Sequence, residues 1–176
     1  MSSGTKKLIT FILIALVVIF TIIGCVYIIN ISNKNNKINP SSNPNISKLS
    51  ASQINKEIIE SMGYQGISEL KSSDISGHIN VPQDSVTQTS IYLSNSNVLA
   101  TELACFKLKD ANQEQALRDA ITSHISTKLK GFKDNPKECE KIENYVLTSS
   151  NGFLFMGIAD NADTAEQLFL DVVTSS

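Results

Sequence analysis

Tryptophan is absent from this 176-residue chain, and aromatic residues make up only 6% of it. Three cysteines are too few for a disulfide-dense secreted scaffold. Eight glycines and four prolines exclude a collagen. The glycines are scattered, and none form GxGxxG or a P-loop that would cradle a phosphate. Neither sign of charge dominates: 15 basic and 17 acidic residues give a net of −2, which excludes a globally basic nucleic-acid binder. The length fits one domain with appendages and excludes a multi-domain enzyme. There are two histidines, with no HExxH, no histidine pair at metal-ligand spacing and no GxSxG.

What the chain does have is one long apolar block. Lys6 and Lys7 precede a run from Leu8 to Ile29, 22 positions without a charge, relieved only by Thr10, Thr21 and Gly24. As a helix it reaches about 33 Å, enough for a hydrocarbon core of about 30 Å. A helix in a soluble core would keep a polar stripe, and this run has none. The sequence therefore predicts a cytoplasmic N-terminus at 1–7, a transmembrane anchor at 8–29, a flexible linker at 30–48 and an extracytoplasmic domain at 49–176. Orientation follows from the lysine pair beside the N-terminal end of the run. Ile22-Ile23-Gly24-Cys25 resembles a lipoprotein processing signal, which makes Cys25 the candidate for lipidation. Val26-Tyr27-Ile28-Ile29 continues the apolar run beyond it, as an uncleaved helix would. Either outcome tethers the same domain to the same side of the same membrane.

The linker is rich in Asn, Ser, Pro and Lys and cannot bury enough apolar surface to offset its ordering entropy. Charge divides at its end. Residues 1–48 hold five lysines and no acid, so residues 49–176 carry a net of −7. An acidic domain is repelled by nucleic acid and by anionic lipid.

Within the domain, Ser50 and Gln53 have capping-box spacing and open a helix that Gly63 ends. Helical turns are expected near Ile67–Leu70 and Asp74–Gly77. Two hairpins follow. The first runs Val86–Leu93, turns through Ser94–Asn97 and returns as Val98–Leu108, with Ala104, Phe106 and Leu108 on one face. The second runs Asn144–Thr148 and Phe153–Ala159 around Asn151-Gly152, a strong hairpin signal. Between them lies the longest helix, about Asn112–Lys130, with Leu117, Ile121 and Ile125 in its apolar stripe. Pro136 starts a short helix to Glu143. Ala165, Leu168, Phe169, Val172 and Val173 mark a last one, capped by Asp160 or Asn161. This order predicts an α+β domain: a four-stranded antiparallel sheet from two β-hairpins, helices packed on one face, and one N-terminal transmembrane helix.

The stretches Thr101-Glu102-Leu103-Ala104-Cys105-Phe106-Lys107, Gly131-Phe132-Lys133-Asp134-Asn135-Pro136-Lys137-Glu138 and Glu143-Asn144-Tyr145-Val146-Leu147 resemble a bacterial family of domains of unknown function, DUF4358, over about residues 50–173. The resemblance implies an extracytoplasmic domain, membrane-anchored or lipoprotein-like, from a Gram-positive bacterium. It implies no activity and brings no functional residues.

Candidate chemistry is thin. His78 lies in a loop and His124 at the edge of the long helix's stripe. Each is a candidate general base, and each is more ordinarily a packed or surface residue. Cys105 and Cys139 are expected as free, mostly buried thiols; a disulfide between them in an oxidising compartment and a nucleophilic Cys with His124 are the alternatives. Glu138, Glu140 and Glu143 read as a solvated face. No cofactor, metal or catalytic residue is expected. The sequence favours a non-enzymatic module that meets the membrane through its N-terminal helix and binds an envelope protein or cell-wall component, not nucleic acid, through its sheet or a hairpin edge. The alternatives are a cell-envelope hydrolase, marked by a deep pocket joining a histidine to a carboxylate or thiol, and a small-ligand sensor or accessory lipoprotein, marked by an apolar cavity between sheet and helices.

Overall fold

The computed structural model describes residues 49–175. The apolar run, Cys25 and the linker lie outside the described residues. Among the described residues, no helix is long and apolar enough to cross a membrane.

Local signals set the element ends. Helix α1 (Ala51–Met62) opens on Ser50, whose side chain accepts from the Gln53 amide while the Gln53 side chain accepts from the Ser50 N–H. Gly63, at φ 65°, ends it in the left-handed conformation. Strand β1 (Ile67–Glu69) follows, then a 3₁₀ turn (Ser72–Asp74) and the single-turn helix α2 (Ile75–His78). Strands β2 (Val86–Ser94) and β3 (Glu102–Leu108) make the first hairpin. A 3₁₀ turn leads into α3 (Glu114–Gly131), and Asn135 caps α4 (Pro136–Glu143) with proline in its first turn. Strands β4 (Val146–Ser150) and β5 (Phe153–Ile158) make the second hairpin. Its turn residues Asn151 and Gly152 both take positive φ, 49° and 80°. Helix α5 (Ala162–Ser175) closes the domain.

The domain is α+β, and its sheet corrects two expectations. It has five strands rather than four, all neighbours antiparallel, in the order β1-β2-β3-β5-β4. The added strand is β1, where a helical turn was expected. Three residues are too few to show a period, and pairing of Ile67 with Ser94 and of Glu69 with Tyr92 decides their conformation. The helices also cover both faces of the sheet rather than one. Leu103, Cys105, Phe153 and Phe155 meet α1 and α5, where Phe155 stacks on Phe169 at 5.2 Å between ring centroids. Ala104, Phe106, Leu154 and Met156 meet α3, through Leu117, Ile121 and Ile125, and α4, through Ile142. Every residue of β5 is buried, as a strand covered on both sides requires. Each fully buried Phe or Ile contributes about 1.5–3 kcal/mol, so two such layers supply most of the drive to fold.

The outer strands are guarded differently. Strand β1 has only three residues. Arg118 of α3 reaches β4, donating to the Leu147 carbonyl and to Ser149 Oγ at 3.1 Å each.

Candidate functional site

The polar centre of the domain is Glu102. It is the first residue of β3 and lies on the same face as Ala104 and Phe106, beneath α3. Its side chain is fully buried. Three side chains meet it. His78 ends α2, and the next residue, Ile79, is anchored in the core. His124 and Lys128 are one turn apart on α3, on one side of the buried Ile121 and Ile125 stripe.

His78 Nε2 lies 2.9 Å from Glu102 Oε1. His124 Nε2 lies 3.1 Å from both carboxylate oxygens. Lys128 Nζ donates to Oε2 at 2.7 Å. An ionised carboxylate only accepts, so with Glu102 charged both histidines carry hydrogen on Nε2. Burial pushes the Glu102 carboxyl up. The hydrogen bonds from His124 and His78 and the charge on Lys128 outweigh that and hold it below the ordinary carboxylate value. The imidazole centroids are 4.7 Å apart with planes at 60°. The cluster is not sealed: the His78 side chain is 25% exposed and that of His124 10%.

A second buried ionic group braces the first hairpin. Glu138 Oε2 accepts the Ala100 N–H at 2.7 Å and pairs with Lys141 Nζ at 3.1 Å. Lys141 also reaches Asp160 Oδ1 at 3.1 Å. The expectation that Glu138 belongs to a solvated face is therefore corrected: it is buried, and it anchors the loop between β2 and β3.

That loop ends in exposed apolar side chains. Val98 is 62% exposed and Leu99 45%. Sequence spacing assigned both to the return strand, which begins instead at Glu102. Val98 borders a groove of about 350 Å³ shared with Phe132, Lys128 and Asp134. A larger, more polar groove of about 580 Å³ is lined by residues entering β4 and leaving β5, among them Tyr145 and Asp160.

The structure brings the two sequence candidates, His78 and His124, to one carboxylate. Glu102 was missed, although a signal existed: an acid at an inward position of a strand that continues with Ala104 and Phe106. Cys105 does not join them. It faces α1 and α5 across the sheet, and burial pushes its thiol up. Cys139 is a free thiol whose Sγ lies 3.1 Å from the Phe132 carbonyl oxygen on the α3–α4 side. Cys25 lies outside the described residues. A family model described as "Domain of unknown function (DUF4358)" matches residues 60–159, which include the whole Glu102 cluster. No curated protein and no solved structure matches the chain.

Proposed function

Because the chain belongs to the DUF4358 family, a domain of unknown function, its role has to be read from its own residues, and we propose a membrane-tethered, extracytoplasmic, non-enzymatic module that binds an envelope protein through the β2–β3 hairpin tip. The address rests on the uncharged run Leu8–Ile29, the lysine pair before it and the acidic excess after residue 48. The observation that carries the binding role is the tip. Val98 and Leu99 are the large hydrophobic side chains left exposed among the described residues. Val98 sits beside the half-buried Phe132, with Asn97, Asp134 and Asn135 as a polar rim. An apolar centre within a polar rim is the anatomy of a protein-binding patch. Other surfaces favour partners less: helices cover both sheet faces, β1 is short, and Arg118 occupies β4.

The test is a photocrosslinking residue at position 98 of the full chain, in the cells that make it. A discrete membrane-associated adduct with an envelope protein is expected. Crosslinking to wall polymer alone, or recovery of the full-length chain in the cytosol, overturns the reading.

A second reading, an envelope hydrolase, draws on the convergence of His78 and His124 on Glu102. A histidine oriented by a carboxylate is a common form of general base, and His78 is the ring a substrate can reach. Its mark is wall-polymer turnover that the His78→Ala variant loses.

A further inference from the structure

We propose that His78, Glu102 and His124 form a binding site for a zinc-class divalent ion, with two imidazole nitrogens and one carboxylate oxygen as ligands and a fourth position open toward solvent at His78. The inference goes beyond the tethering and binding role and does not depend on it. It rests on convergence. One ligand atom from each residue can be chosen so that all three lie within 4.8 Å of one another. Glu102 Oε1 is the shared corner, 2.9 Å from His78 Nε2 and 3.1 Å from His124 Nε2. Bonds of about 2.0–2.1 Å to a tetrahedral zinc place its ligand atoms about 3.3 Å apart. Those two edges need to open by only a few tenths of an ångström, and the third, between the two histidines, lies within 4.8 Å and needs to close by up to about 1.5 Å, a movement the more exposed His78 ring supplies.

The donor set selects the ion. Two imidazoles and one carboxylate suit zinc and its neighbours in the first transition row, whereas calcium and magnesium take oxygen. Three protein ligands with one vacant place are the pattern of zinc sites that accept water or another ligand. The elements that carry the donors are held independently: β3 is central in the sheet, α3 is pinned by Leu117, Ile121 and Ile125, and Ile79 fixes the end of α2. Lys128 is a positioning residue. It holds Oε2 at 2.7 Å, while Oε1 is the oxygen that both histidines share.

Binding sets one proton requirement. To ligate the ion a ring must offer the Nε2 lone pair, so the Nε2 hydrogen that faces Glu102 without the ion is given up, to Nδ1 of the same ring or to water.

The same contacts without an ion would be a purely internal polar cluster, and the experiment separates the two. Full-length protein in detergent micelles is stripped with chelator, then titrated with Zn²⁺ by calorimetry and with Co²⁺ by visible absorption. One equivalent of zinc, and Co²⁺ bands of a low-coordinate nitrogen–oxygen site, are expected. His78→Ala and His124→Ala, each shown by melting to be folded, should bind at least about tenfold more weakly. His78 is the more exposed ring, so its variant keeps the test decisive if His124→Ala does not fold. Failure of the folded wild type to bind overturns the proposal. So does equal affinity in the wild type and the folded histidine variants, which would put the ion elsewhere.

Discussion

Lys128 Nζ lies 2.7 Å from Glu102 Oε2, joining the long helix to the central strand through a carboxylate with no solvent contact. A buried carboxylate is tolerated only when its charge is met, and His78, His124 and Lys128 meet it from two different elements. Removing the charge while keeping the shape leaves those groups unbalanced. Glu102→Gln is expected to cost about 3–5 kcal/mol of stability, read from denaturant melts at neutral pH.

The same carboxylate sets an acid limit. Its folded value lies below the ordinary 4.5, so its contribution is complete above that pH and is lost as pH falls toward the folded value. Wild type should lose stability on acidification below 4.5 more steeply than Glu102→Gln. Parallel acid profiles for the two proteins would refute this account of Glu102.

Glu138 has a comparable structural task at the hairpin. Glu138→Ala strips a partner from the Ala100 amide and a charge from Lys141. The expected penalty is about 1–3 kcal/mol. Hydrogen exchange at Ala100 should accelerate before exchange in β5 does, because the loop loosens while the sheet remains.

The tip residues should behave in the opposite way. Val98→Ser with Leu99→Ser removes exposed apolar surface that holds no core together. Stability should stay within about 0.5 kcal/mol of wild type, while capture of the partner falls sharply. A large drop in melting temperature would mean that the pair serves packing instead.

Thiol chemistry offers a check on which face each strand residue takes. Cys105 is buried among α1 and α5, and burial raises its thiol above the ordinary range. A maleimide probe should leave Cys105 unmodified in the native protein and label it fully after denaturation, as peptide mass analysis would reveal.

Signals confined to a few neighbouring residues were readable without coordinates. Ser50 with Gln53, Pro136 and Asn151-Gly152 each act on their own backbone, and each produced the expected cap, helix start or turn. Choices made by distant partners were less readable. An apolar stripe on α3 says that the helix packs on something, not on which side of the sheet. The unbroken apolar stretch Phe153–Ile158 carried that information, since a strand with one solvent face would alternate. The cluster was hidden for the same reason. Glu102 stands 24 residues from His78 and 22 from His124, with no local spacing to link them. Its charge at an inward strand position was the one local trace.

Arg118 bears on how copies of the chain behave at close quarters. An outer strand with free carbonyls invites the matching strand of a neighbour wherever copies are concentrated. The guanidinium already occupies the Leu147 carbonyl, and Glu114 holds that guanidinium in place at 2.8 Å. A neighbour would have to dislodge both before zipping onto β4, so crowding alone should leave each copy separate.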